Sequence, residues 1–455
     1  MQINSKIHFI GISGIGMSGI AELMLDKGYS IQGSDISVND NTKRLKKKGI
    51  KFFLGHNKKN IKNAHAIVYS SAIKKNNPEI KGYCDTKFEK VKNTFMDNFV
   101  HHNELGASVC IFKDGEKVVD LWGGYKDSDK LELWEEDTIV LMNSVAKSIC
   151  SISVHILSDR GLIDLNSPVC NYWKEFGQAG KENITVANVL GHECGAIFSD
   201  TAKPSDWYSY ERQCAAIAAQ EPAFKAGTNG AYNTVNIGFI LGEIVRNVSG
   251  KNVGEFIRDE ISSPLKAEYQ IGLTDEEVSK LSNMHLNKEN AFWAMGADPE
   301  SNLNRAWSGK PDSGDFLNSE HIRKGIFPAF GGHGNARGVA TIYAALAGNG
   351  QVNGKRILSE SAVVRAAELV WEGKCHMTGW NLRMGRGFEQ NSPYYIPMGD
   401  NPKAFGKFGS GGAIGFCDRE KNLSFSYATN FQCEGAGIGI RSRLLTEAAA
   451  GKPDF

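Results

Sequence analysis

No run of apolar residues in this chain approaches the roughly 18 that a membrane-crossing helix needs. Its first residues, MQINSKIHFIG, hold no basic segment followed by a long apolar core and a small-residue cleavage site. Both absences predict a cytoplasmic protein with no membrane partner. Charge of one sign is lacking as well: 52 Lys+Arg face 51 Asp+Glu, so no overall field attracts nucleic acid. The nine cysteines contain no Cys-x-x-Cys pair, and their number is odd. Several lie in apolar runs, which suits buried thiols in a reducing compartment better than disulfides or zinc. The eleven histidines form no His-Glu-x-x-His, so no metal is expected. No Gly-x-x-x-x-Gly-Lys-Ser/Thr loop is present to hold ATP phosphates and magnesium, and no cofactor is expected.

What remains is a 455-residue chain, 41% hydrophobic, with room for two or three globular domains. The near-neutral total hides a break. Residues 1–81 hold 14 Lys+Arg against 5 Asp+Glu, a net +9, which leaves −8 for the rest. Such a step predicts two units of different character, 1–81 and 82–455. In the first, Lys6–Ile12 reads as a strand, a glycine turn from Gly11 to Gly19 follows, Ile20–Lys27 reads as a helix and Tyr29–Gly33 as a second strand. Strand, turn, helix and strand make a Rossmann-like βαβ module. The glycines let a phosphate approach the free N–H groups of the helix start. Gly14-x-Gly16-x-x-Gly19 with Asp35 also fits a generic dinucleotide fingerprint, although tight strand–helix packing uses glycine too.

The longer text HFIGISGIGMSGIAELMLDKGYSIQGSD, with Gly55-His56, Ser70-Ser71-Ala72-Ile73 and Asn77-Pro78-Glu79, resembles the N-terminal domain of UDP-N-acetylmuramate–L-alanine ligases. That resemblance implies a UDP-sugar ligand. It implies diphosphate contacts at Ser13, Gly14, Ile15 and Gly16, and sugar-nucleotide roles for Asp35, His56 and Ser71. Loop capping is the alternative for His56 and Ser71. Because the ATP loop of those ligases is missing, residues 1–81 are expected to be an incomplete recognition module and not part of a working ligase.

In the second unit, Asn143–Arg160 (NSVAKSICSISVHILSDR) carries apolar residues at a helical period, with Ser144 at its first turn and Lys147 three residues on. Positions i and i+3 share a helix face, so the amine reaches the hydroxyl. The dipole and free N–H groups of that turn favour an oxyanion at Ser144. Ser-x-x-Lys thus builds an activated serine without histidine, though the string alone is common by chance. Two partners follow. Tyr232 beside a lysine would lose its proton more easily and pass it on. Lys407, in Lys407-Phe-Gly409-Ser410, offers a cation and a backbone N–H to hold the substrate carbonyl. A hairpin around Lys113–Glu116 and another around Asp418–Asn422 predict one sheet made from both ends of this unit, with helices at Phe88–His101, Asn236–Val248 and Gly338–Ala347 between.

The order Ser-x-x-Lys, Tyr, Lys-x-Gly, with VDLWGG at 119–124 and GLIDLNSPVCNYWKEF at 161–176, resembles the serine β-lactamase and penicillin-binding superfamily, most nearly class C-like enzymes and family VIII carboxylesterases. The resemblance implies an α/β fold: an antiparallel sheet flanked by helices, with a helical insert. It implies Ser144 as acylated nucleophile, Lys147 easing its deprotonation, Tyr232 as proton shuttle, and an oxyanion between the N–H groups of Ser144 and Ser410. Trp122 and His192 also lie in such stretches, where core packing and loop support are the stronger readings. Two departures are visible. Tyr232-Asn233-Thr234 replaces the usual Tyr-x-Asn, and Phe408 stands where threonine is usual. Both favour a carboxylesterase acting on small esters over a β-lactamase or D-amino-acid peptidase of cell-wall amides. A UDP-muramoyl-sugar-binding protein with an inactive hydrolase region is the reading from another class.

Overall fold

The computed structural model describes residues 5–55, 58–61, 64–69, 80–311, 316–435 and 437–453. The chain divides into two units, 1–78 and 79–455.

The first unit is a parallel sheet. Strands β1 (Lys6–Ile10), β2 (Ser30–Asp35), β3 (Lys51–Leu54) and β4 (Ala66–Tyr69) are ordered β3-β2-β1-β4. Helix α1 (Ile15–Asp26) joins β1 to β2, and α2 (Asp40–Lys47) joins β2 to β3. Ile7, Phe9, Ile12, Ala21, Ile31 and Leu45 form the core. A side chain at Gly33 would strike Ile12 and the Phe9 carbonyl, which is why the strand carries glycine there. Helix α1 starts five residues earlier than its apolar period indicates, because the glycine turn itself supplies the first helical turn. Helix α2 gives almost no periodic signal, since Leu45 is its single apolar anchor. Its signal is the cap: Asn39 accepts from the Thr42 N–H at 3.0 Å and Thr42 Oγ1 accepts from the Asn39 N–H at 2.9 Å.

The second unit holds a nine-stranded, all-antiparallel sheet. Its strands are β5 (Lys81–Cys84), β6 (Gly106–Lys113), β7 (Glu116–Gly124), β8 (Leu369–Lys374), β9 (Asn381–Gly385), β10 (Glu389–Gln390), β11 (Phe405–Phe408), β12 (Ile414–Asp418) and β13 (Leu423–Thr429). The order is β8-β9-β10-β11-β12-β13-β6-β7-β5. The last strand, β13, lies against β6, with Tyr427 opposite Val109 and Thr429 opposite Ala107. The sheet is thus built from both ends of the unit, as the two hairpins predict. Period-2 alternation splits its side chains between two cores. Val109, Ile111, Phe416 and Phe425 pack with α3 (Glu89–His101) and α7 (Gly439–Ala450). Cys110, Phe112, Phe405 and Cys417 pack with the helical side, which contains α4 (Val145–Asp159), α5 (Asn236–Ser249) and α6 (Ala336–Ala347).

Helix α4 is where the pattern misleads. Its apolar period suggests one buried face, yet every residue from Val145 to Leu157 is buried. The serines on the supposedly wet face bond back to the helix. Ser148 Oγ donates to the Val145 carbonyl at 2.8 Å and Ser151 Oγ to that of Lys147 at 2.8 Å. His155 Nε2 pairs with the Arg386 carbonyl at 2.9 Å. Hydroxyls satisfied this way can be enclosed at little cost, so α4 forms the centre of the unit with Lys147 inside it. Among the described residues no helix is long and apolar enough to cross a membrane.

Candidate active site

Three residues turn a strand into α4. Ile139–Leu141 belongs to a small four-stranded sheet, and Met142 then donates its N–H to the Gly332 carbonyl at 2.8 Å. Asn143 takes a left-handed backbone, φ 48°, which asparagine tolerates better than most residues. Ser144 follows as the N-cap, and its side chain caps no helix N–H. The hydroxyl is therefore available to other groups.

The nearest is Lys147, whose Nζ lies 3.0 Å from Ser144 Oγ and donates to the Ala329 carbonyl at 2.8 Å. This amine is 1% exposed. Burial, then repulsion from Lys407, drives its pKa well below the ordinary lysine value. Tyr232 lines the same cleft as Ser144 and Ser410. The ring is flanked by two cations, Lys147 Nζ 5.2 Å and Lys407 Nζ 4.5 Å from its centroid. Those neighbours are expected to make the phenol more acidic, but burial outweighs them and its pKa is raised. The phenol therefore stays protonated, and the amine is the readier base.

Lys407 corrects a second expectation. Its ammonium is 0% exposed and forms an ion pair with Glu389 on β10, so it does not face the cleft as a carbonyl-holding cation. Burial opposes its charge, yet Glu389 and Tyr232 together hold its pKa above the ordinary value. Glu389 lies in GFEQ, an unremarkable string, and the sequence alone does not single it out.

Gly409 and Ser410 bring the end of β11 to the serine. A side chain at Gly409 would run into the Met142 carbonyl, so glycine here is a spacer that lets two backbones touch. Gly409→Ala should push Ser410 away from Ser144 and lower kcat/KM about 10²-fold with the fold retained, as steady-state kinetics and circular dichroism would show. Asn143 Nδ2 donates to the Ser410 carbonyl at 2.7 Å, and Ser410 Oγ donates to Asn290 Oδ1 at 3.3 Å. Among the described residues, neither the Ser144 nor the Ser410 backbone N–H donates to a protein acceptor. Both are free for an oxyanion.

The cleft at this point is narrow and is lined by Ser144, Tyr232, Asn290, Phe292, Trp380, Tyr395, Phe408, Ser410, Gly435 and Gly437. No charged side chain is among them. Asn233 lies outside it: Nδ2 donates to the Ala196 carbonyl at 3.0 Å, and Oδ1 accepts from the Ile237 N–H at 3.0 Å at the start of α5. His192 supports that loop, accepting from the Asn233 N–H at 2.9 Å, with its ring 5.4 Å from that of Tyr232. Trp122 packs against the core with the Arg337 guanidinium 5.7 Å from its ring. Asn143, Asn290 and the aromatic wall were not legible beforehand. They come from segments far apart in the chain and carry no spacing.

In the first unit, Asp35 is turned inward. It accepts from the Ser13 N–H at 2.8 Å and the Ile36 N–H at 2.8 Å, fixing the glycine turn. Gly14, Ile15 and Gly16 are exposed, Ile15 at 88%. The N-terminus of α1 has neither a side-chain cap nor an acid in its first turn. A Cβ at Gly16 or Gly19 would meet nothing within 4 Å, so packing does not require glycine at either position. His56 and Ser71 lie outside the described residues.

The beta-lactamase family profile matches residues 92–449. The chain belongs to the beta-lactamase family. It is a serine hydrolase of that fold. Esterase/beta-lactamase LipL of Mycobacterium tuberculosis is 27% identical over 387 residues, covering 81% of this chain and 88% of LipL. The crystal structure of a family VIII carboxylesterase superposes with a TM-score of 0.75 at 35% identity, covering 82% of this chain and 99% of that one. The Mur ligase family, catalytic domain, matches residues 6–94. UDP-N-acetylmuramate--L-alanine ligase of Rickettsia typhi is 57% identical over 95 residues, 21% of this hydrolase-family chain. The chain spans about a fifth of that ligase's length, 19%.

Proposed function

We propose that the second unit is a carboxylesterase acting through an acyl-enzyme on Ser144, with small uncharged esters as substrates. The observation that carries this reading is the Lys147 amine hydrogen-bonded to Ser144, with Tyr232 beside them, opening on a cleft without a charged wall. Lys147, its pKa lowered by burial, takes the serine proton as Oγ attacks the ester carbonyl. The Ser144 and Ser410 N–H groups receive the oxyanion. Tyr232, protonated and backed by Lys407, gives its proton to the departing alkoxide. On the acyl-enzyme the resulting phenolate takes a proton from the attacking water, and Lys147 returns its proton to Ser144 Oγ as the acid is released.

β-Lactams and cell-wall peptides carry a carboxylate, which needs a cation or a strong polar donor in the cleft. Here Lys407 is engaged by Glu389, Asn233 faces inward, and Phe408 lines the wall. LipL bears both esterase and beta-lactamase in its name, so the comparison is worth making directly. Turnover of p-nitrophenyl butyrate should exceed that of nitrocefin by about 10²-fold or more in kcat/KM. Equal or reversed preference would move the reading to a β-lactamase.

A second reading concerns the first unit alone. The uncapped start of α1 and the glycines that packing does not require favour a diphosphate there, as in a UDP-muramoyl sugar. Calorimetry with UDP-N-acetylmuramate on the full chain tests it: saturable heat supports the reading, and none at millimolar ligand removes it.

A further inference from the structure

The two N–H groups that would share an oxyanion sit on separate segments. Ser144 begins α4, and Ser410 follows β11, 266 residues later. Their spacing must hold within a few tenths of an ångström for both to reach one oxygen. Asn143 is the side chain that spans them. Its backbone adjoins Ser144, and its amide donates to the Ser410 carbonyl at 2.7 Å. Its own carbonyl accepts from the Ala146 N–H at 3.1 Å, in the first turn of α4. Its Cβ lies 3.0 Å from where a Gly409 side chain would begin, so the two segments are in contact at this residue. Asn143 is 4% exposed and does not line the cleft.

We propose that Asn143 is a positioning residue that sets the oxyanion site, holding the Ser410 peptide in register with Ser144; this rests on the acyl-enzyme reading above. Among the described residues Ser410 has one other anchor, the longer bond from its hydroxyl to Asn290. The amide of Asn143 is the shorter tie, and it comes from the residue next to the nucleophile.

A merely conformational role is the competing account, since φ 48° asks for asparagine or glycine. Asn143→Gly separates the two, because it keeps the backbone and removes the amide. Asn143→Asp keeps the shape and replaces the donor with an acceptor facing the Ser410 carbonyl. Both variants should lower kcat for p-nitrophenyl butyrate by about 10- to 100-fold, somewhat less than outright removal of an oxyanion donor, with KM within about threefold. Affinity for a butaneboronic acid probe, whose adduct on Ser144 mimics the tetrahedral state, should fall by a similar factor. Full kcat and unchanged boronate affinity in folded Asn143→Gly would overturn the proposal while leaving Ser144 as nucleophile. Turnover persisting in Ser144→Ala would overturn both readings together.

Discussion

Ser144→Ala should lower p-nitrophenyl butyrate turnover about 10⁴-fold or more while leaving the fold unchanged. The size follows from the role: without Oγ there is no acyl-enzyme, and only the oxyanion donors and the cleft remain to assist water. Preservation of the fold follows from the local structure. The Ser144 side chain does not cap α4, and among the described residues its hydroxyl is hydrogen-bonded to Lys147. Lys147 keeps the Ala329 carbonyl as acceptor when the hydroxyl goes. Thermal unfolding should therefore shift by only a few degrees, since about 1 kcal/mol moves the midpoint of a chain this size by about 2–4 °C or less. Activity within tenfold of the parent would show that another group carries the reaction.

Lys147→Met should cost about 10³-fold in kcat/KM and erase the acid limb of the pH profile. A general base acts in its deprotonated form. Burial first, and the Lys407 charge second, lower the Lys147 pKa well below the ordinary lysine value, with Glu389 opposing. The base form is thereby extended downward in pH. In the parent, kcat/KM should rise with pH through this depressed pKa and level off well below the ordinary lysine range. Lys147→Arg separates charge from basicity. It supplies a cation that does not give up its proton, so it should be as inactive as the methionine variant. An active arginine variant would mean that the amine serves as a fixed charge.

The parts of the site that announced themselves in the sequence are those set by short spacing. Ser144 and Lys147 are one helical turn apart, and any helix there brings them together. The hairpins at 113–116 and 418–422 mark strands by alternation, and the last strand of the second pairs with the first strand of the other. What could not be read depends on enclosure. The serines of α4 look like a solvent face until their hydroxyls are seen to bond to the helix's own carbonyls. Lys407 looks like a cation for substrate until Glu389 is found beside it. Tyr232 looks acidified by its lysines until burial is weighed. Asn143 and Asn290 act through bonds that cross more than a hundred residues, for which one sequence holds no signal. The aromatic wall of Phe292, Trp380, Tyr395 and Phe408 is assembled from a short helix, two loops and a strand end, each ordinary by itself.

The most direct test is mass spectrometry of the full chain after reaction with a fluorophosphonate probe. A single adduct should form, on the peptide containing Ser144. It should form more slowly in the presence of p-nitrophenyl butyrate and not at all in Ser144→Ala. Stoichiometric labelling of another residue, with loss of esterase activity and Ser144 unmodified, would contradict the account.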